Sequence, residues 1–193
     1  VSHWLDHVLP APLYLRSKAT PLPQNLLAEL ARADAPFARV ERMAQAALTI
    51  DARRPNVALL IRELERDNPA ARLPITGPLL TPPEDMAVVW VSEPMHEIYG
   101  IEPGQRLHLP LNGRLVDVFV GGVWRDYSRQ FGAVVISRDD FLRLDGDFQP
   151  SDLALWPRPG QESAASAWLA GWTTGYGLEL TDSVEIRHLS LSI

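Results

Sequence analysis

Apolar residues recur along this chain with two different periods, and the switches between them predict its elements. Trp4, Leu5, Val8 and Leu9 fall at helical spacing until Pro10 and Pro12 break the pattern. Residues 13–15 are a short apolar run suited to a strand, and Pro21 and Pro23 mark a loop. Asn25 is placed to cap a helix over 26–33 with Leu26, Leu27 and Leu30 on one face. From 37 to 50 the apolar positions loosen to Val40, Met43, Ala46, Leu48 and Ile50, which reads as a strand with room for a bulge. Residues 57–61 are continuously apolar, the pattern of a strand covered on both faces.

The stretch 66–85 carries Pro69, Pro74, Pro78, Pro82 and Pro83 and reads as a linker or wrapping loop. A new pattern starts at Met86. It predicts a strand over 88–91, a short helix over 93–99 capped by Ser92 and closed by Gly100, and a turn at 101–104. Leu107 and Leu109 begin another strand, and Asn112-Gly113 is the strongest hairpin signal in the chain. On the return strand Leu115 faces one way and Val116, Val118 and Val120 the other, until Gly121-Gly122 marks a bulge or bend. Val123-Trp124 continues the sheet, 125–132 is a polar loop, and 133–136 is a strand. Ser137 caps a helix through Phe141 and Leu142 that ends near Gly146. Past Ser151 come a strand over 153–156, an Ala- and Trp-rich helix over 162–173, a strand over 178–180 and an amphipathic tail over 183–193.

These elements predict an α+β fold of two lobes. Residues 1–83 and 151–193 are expected to form an outer β-α-β lobe, pairing strands from before 65 with strands from after 150. Residues 84–150 are expected to form a mostly β central lobe.

Composition sharpens this picture in a few places. The 17 prolines in 193 residues, about 9% against a usual ~5%, favour a turn-punctuated globule over a helical bundle. Lys+Arg 18 against Asp+Glu 24 gives a net charge of −6, which argues against a nucleic-acid surface. The absence of cysteine excludes disulfides, thiol nucleophiles and thiolate metal sites. No stretch reaches the ~18–20 apolar residues that span a bilayer, and no signal peptide is visible. The chain begins at Val1 and ends in an alternating Leu189, Leu191, Ile193 pattern with no stop signal, so it reads as a piece excised from a longer protein.

The segment Val91-Ser92-Glu93-Pro94-Met95, then Tyr99-Gly100-Ile101-Glu102-Pro103-Gly104-Gln105, then Leu107 and Leu109, resembles a stretch of the extracytoplasmic core domain of MacB- and FtsX-like ABC transporter permeases. The run Val118-Phe119-Val120-Gly121-Gly122-Val123-Trp124-Arg125-Asp126-Tyr127 is similar to that family's "V-x-G-V-x-x-D-Y" strand. Gly132-Ala133-Val134-Val135-Ile136, followed by residues 141–144, resembles the next segment, and Glu185-Ile186-Arg187 onward looks like the approach to a transmembrane helix. Gln105 stands where the family commonly has Asp, and the Pro-rich 66–85 is unusual for it. The resemblance is strongest over 86–145. It implies a periplasmic domain between two membrane helices, with a porter-like lobe from both chain ends and a sabre-like central lobe. The two chain ends would then lie within ~20–25 Å of each other, about two helix diameters.

Candidate chemistry is sparse. His3 and His7 share a helix face beside Asp6, as zinc ligands can, but no third ligand is evident and no H-E-x-x-H motif exists. Asp139, Asp140, Asp145 and Asp147 surround Gly146 without the calcium-loop register, and the first two read as helix-dipole residues. Ser92, Asp126, His96 and His108 supply parts of a hydrolase triad with no G-x-S-x-G elbow. No catalytic residue, cofactor site or metal ligand is therefore assigned. Among the six tryptophans, Trp168 and Trp172 stand at i, i+4 and read as core and lobe packing. Trp124, Arg125, Tyr127 and Arg129 form the candidate partner-contact surface, because aromatic and Arg residues on a loop are the composition of protein contacts.

The leading expectation is a non-enzymatic periplasmic domain of an inner-membrane ABC permease, without a cofactor. The implied partners are the transmembrane helices of the same permease, a cytoplasmic ATP-binding subunit acting indirectly, a periplasmic adaptor or a protein or lipid substrate, and a second permease copy. One rival is a periplasmic small-molecule or lipid-binding module with a tryptophan-lined pocket; another is a hydrolase.

Overall fold

Two compact units emerge from these alternations, each with its own core. The computed structural model describes residues 2–18, 21–183 and 185. In chain order they form α1 (Ser2–Val8), β1 (Leu13–Ser17), α2 (Gln24–Leu30), β2 (Phe37–Leu48) and β3 (Val57–Arg62). A single 3-10 turn (Pro69–Ala71) leads to β4 (Ile75–Thr76), β5 (Val88–Ser92), α3 (Glu93–Tyr99), β6 (Arg106–Leu111) and β7 (Arg114–Trp124). The chain continues through β8 (Ala133–Ser137), α4 (Arg138–Arg143), β9 (Asp152–Pro157), α5 (Glu162–Tyr176) and β10 (Leu178–Asp182). The class is α+β, as expected. Among the described residues no helix is long and apolar enough to cross a membrane. The side chain of His3, most of the expected amphipathic tail and the spacing of the two chain ends lie outside the described residues.

The chain divides into two compact units, Val1–Ala44 with Gln149–Ile193, and Gln45–Phe148. In the first unit the strand order is β10-β1-β9-β2, and every pairing is antiparallel. Leu13 and Leu15 on β1 lie opposite Leu155 and Leu153 on β9, so these four leucines share one face. Leu26 of α2 and Ala165 and Leu169 of α5 pack on that face. The expected pairing of early strands with strands past 150 holds for β1 and β2. Helix α2 starts one residue before Asn25, with Pro23 at its N-cap and no side-chain cap.

The second unit has the order β3-β8-β5-β7-β4, with β6 paired to β7. The expectation that 45–83 belongs with the chain ends is corrected here: β3 pairs parallel to β8, and β4 pairs antiparallel to β7. The physical reason lies in β3 itself. Its continuous apolar run needs cover on both faces, and a seat beside β8 places it between α4 on one side and the back cluster on the other.

All five residues of β5 and all five of β8 are buried. Helices α3 and α4 pack against β3, β5, β7 and β8. The opposite face carries a separate cluster of Leu60, Val88, Trp90, Trp124, Ala133 and Val135, and among the described residues no α-helix contributes to it. Leu64, just before the Pro-rich stretch, and Leu73 and Ile75 within it close this cluster instead. The wrapping loop is thus the third layer of the unit.

Local signals place the turns. Asn112 and Gly113 take φ of 49° and 74°, the left-handed pair that a two-residue hairpin needs, and β6 and β7 pair on either side of them. Ser137 Oγ accepts the Asp140 amide at 3.1 Å, capping α4. Ser92 stands at the N-cap of α3 but makes no cap bond; its hydroxyl accepts the Ala133 amide at 2.9 Å, tying β5 to β8.

Between Val89 and Trp90 the β5–β7 register slips from Val120 to Gly122, so Gly121 is the bulged residue. A Cβ at Gly121 would stand 2.7 Å from Val88 Cγ2 and 3.0 Å from Trp90 Nε1. Gly121→Ala is therefore expected to lower stability by about 1–3 kcal/mol, the cost of overpacking a close-fitted core. Urea unfolding checks this, and an unchanged midpoint would show that the bulge has slack.

Candidate functional site

The candidate contact surface is built on the end of β7. The bulge at Gly121 sets the face of everything after it. Val120 and Val123 fall on one side, and Phe119, Gly122 and Trp124 on the other, with Val88 and Trp90. Trp124 is therefore a core residue and not part of an exposed loop. It is 2% exposed, and its indole Nε1–H donates to the Trp90 carbonyl at 3.2 Å. The expectation of a Trp124 contact is corrected: the polar residues after it suggested a loop, but its place on a sheet buried on both faces decides its burial.

The loop proper starts at Arg125, whose amide donates to the Pro74 carbonyl at 3.0 Å. Its Nε donates to Glu93 Oε1 at 2.8 Å, tying the loop to the first turn of α3. That hydrogen bond, then the Glu93 charge and the neighbouring Tyr127, raise the Arg125 pKa above its ordinary value. Asp126 points inward. Its buried carboxylate accepts the Ser128 amide at 2.8 Å and Arg129 Nη1 at 3.0 Å, folding the loop over its own acid. Arg129 is thus held against Asp126. Tyr127 is left 60% exposed, and Phe131, which sequence reasoning passed over, is 44% exposed. An apolar ring in an otherwise polar segment was the signal available for it. Arg125, Tyr127 and Phe131 are thus the exposed candidates on this loop, with Arg129 held against Asp126.

The other expected chemistry is dispersed. His96 Nδ1 lies 2.8 Å from the Ile101 carbonyl at the end of α3. His108 pairs with Asp117 across the exposed β6–β7 hairpin. With Ser92 held by Ala133 and Asp126 by its own loop, the parts of a triad are each engaged separately. Asp140 does more than face the dipole of α4: its buried carboxylate accepts the Val88 amide at 3.0 Å and Arg143 Nη1 at 3.2 Å, with Arg66 Nη1 at 3.5 Å. No group of three or more His, Asp or Glu that could hold a metal ion exists among the described residues.

The tryptophans are divided between the units. Trp90 and Trp124 fill the second core. Trp168 and Trp172 pack on the first, in a row running from Phe37 to Tyr176 with ring centroids 5.2 to 5.9 Å apart. Arg39 covers the Trp156 ring at 4.8 Å.

No protein-family model matches the sequence, and no curated protein matches it. Solved structures do. The periplasmic region of MacB from Actinobacillus actinomycetemcomitans superposes with a TM-score of 0.60 at 12% identity, over 98% of this chain and 96% of that one. The extracellular domain of the noncanonic ABC-type transporter YknZ from Gram-positive bacteria gives a TM-score of 0.52 at 11% identity, over 89% of this chain and 99% of that one. The chain has the fold of the MacB periplasmic region. At this identity the likeness is one of fold, so the loop's role stands on its own geometry.

Within this MacB-like fold, Trp124→Ala is expected to lose roughly 3–5 kcal/mol, the range for emptying a buried aromatic site. Tyr127→Ala is expected to stay within ~0.5 kcal/mol, as exposed substitutions do. Chemical denaturation of the two variants checks both, and a Tyr127→Ala loss as large as that of Trp124→Ala would make the loop structural.

Proposed function

We propose that this chain is a non-enzymatic extracytoplasmic domain of an ABC-transporter permease. The observation that carries the reading is the match to the periplasmic region of MacB across nearly the full length of both chains. The ordered motifs over 86–145 support it independently of the superposition. In this reading the chain hangs between two membrane helices of its own permease, on the periplasmic side of an inner membrane. ATP binding by a cytoplasmic subunit moves those helices, and the domain carries the motion to a periplasmic adaptor, a substrate or a second permease copy. Such work needs two arrangements of one body that the helices bias, and no chemistry in the domain itself.

The contact surface proposed for the partner is Arg125, Tyr127 and Phe131. An arginine and two exposed rings on one loop are the composition of interface anchors. The separate engagement of Ser92, His96, His108 and Asp126 supports a domain without catalysis. The placement of Trp90 and Trp124 in one core and of Trp168 and Trp172 against the other gives the tryptophan-lined pocket no support.

Because this segment contains no cysteine, Tyr127→Cys introduces one thiol on the surface in question. In the parent permease on intact cells, a membrane-impermeant maleimide is expected to label that variant and leave the wild-type segment unlabelled. Labelling only after the membrane is broken would overturn the extracytoplasmic placement. In the same parent, Arg125→Ala with Tyr127→Ala is expected to impair transport or partner capture while leaving the amount of folded permease unchanged.

A further inference from the structure

The cover on the back of the second sheet is attached by unusually few bonds. Residues 74–85 run between Leu73 and Val88, both buried. Along the β7 edge they offer a two-residue ladder, Ile75 opposite Trp124 and Thr76 opposite Val123. Two further bonds flank it: the Arg125 amide donates to the Pro74 carbonyl at 3.0 Å, and the Leu80 amide to the Gly121 carbonyl at 2.9 Å. Pro74, Pro78, Pro82 and Pro83 have no N–H, so the ladder cannot lengthen.

Beyond Ile75, which packs on the back cluster, the leucines of the segment are loosely held. Leu79 and Leu80 remain 42% and 41% exposed. They rest on bare backbone: a Cβ at Gly122 would stand 2.7 Å from Leu79 Cδ2, and one at Gly104 3.1 Å from Leu80 Cδ1.

One arginine fastens the far end. Arg66 Nη2 donates to the carbonyls of Pro83 and Met86, each at 3.1 Å. Its Nη1 reaches Asp140 Oδ1 at 3.5 Å, and Asp140 is itself fixed by the Val88 amide and by Arg143. A single guanidinium therefore links the end of the strap to a buried acid at the head of α4.

We propose that residues 74–85 are a lid that opens as a unit while the rest of the sheet stays closed, with Arg66 as its latch. Few ladder bonds, exposed leucines and one fastening are the features of a segment with a low local opening free energy. The open form uncovers the β7 edge from Gly121 to Arg125 and the back face formed by Trp90, Trp124 and Phe119. The inference does not depend on the transport reading.

Amide hydrogen exchange of the 193-residue chain tests it. The amides of Leu80 and Arg125 report the lid; those of Val134 and Val135, on the central strand β8, report the sheet. In the wild type the lid amides are expected to exchange at least ~10-fold faster than the β8 amides, with little dependence on low urea, because local opening exposes little surface. Arg66→Ala is expected to speed the lid amides by a further ~10-fold relative to β8, the loss of charge-assisted bonds. Arg66→Lys keeps the charge without the fork and is expected to fall between the two, so a misfolded alanine variant leaves the test intact. Lid and β8 amides exchanging in step in the wild type would overturn the lid. Arg66 variants that speed all four amides equally, or none, would overturn the latch.

Discussion

Strands β5 and β8 are buried along their whole length, and a sheet with such strands at its centre must be covered on both faces. The rest of the second unit follows from that constraint. Helices α3 and α4 supply one cover. The other comes from Leu64 and from Leu73 and Ile75 of the Pro-rich stretch, closing over Trp90 and Trp124. Proline suits this layer because an extended segment crossing a sheet edge needs a fixed φ and few donors. The bulge at Gly121 serves the same end, turning Trp124 onto the face where Trp90 can accept its indole hydrogen. The loop after Trp124 inherits its position from that buried ring, which is how an interior constraint comes to present Arg125, Tyr127 and Phe131 at the surface.

What was legible in the sequence was local. Asn112-Gly113 names its own hairpin because few other residue pairs accept two left-handed conformations. Ser137 names the start of α4, and Gly121-Gly122 names a break in register. What was not legible depends on partners distant in the chain. The apolar run of β3 announces burial on both faces without naming β8 as its neighbour, so the first domain boundary was expected some forty residues too late. The hydroxyl of Ser92 looked like a helix cap because nothing nearby reveals that the Ala133 amide would take it.

The site shows the same division. Arg125 and Tyr127 were legible as exposed loop residues. Trp124 was not legible as core, since its burial comes from the shift of faces at the bulge and from a cover supplied by residues 64–75. Asp126 read as a fragment of a triad and is the post around which the loop folds. A buried carboxylate that accepts both a loop amide and a loop arginine holds the shape of its own loop.

The account depends most on Trp124 standing inside a sheet covered on both sides. The exchange of its indole Nε1–H, followed by nitrogen-15 NMR, tests this directly. The account predicts strong protection, with contacts from the indole ring to the methyl groups of Ile75 and Leu73. An indole hydrogen that exchanges as freely as one on an exposed tryptophan, without those contacts, would contradict it.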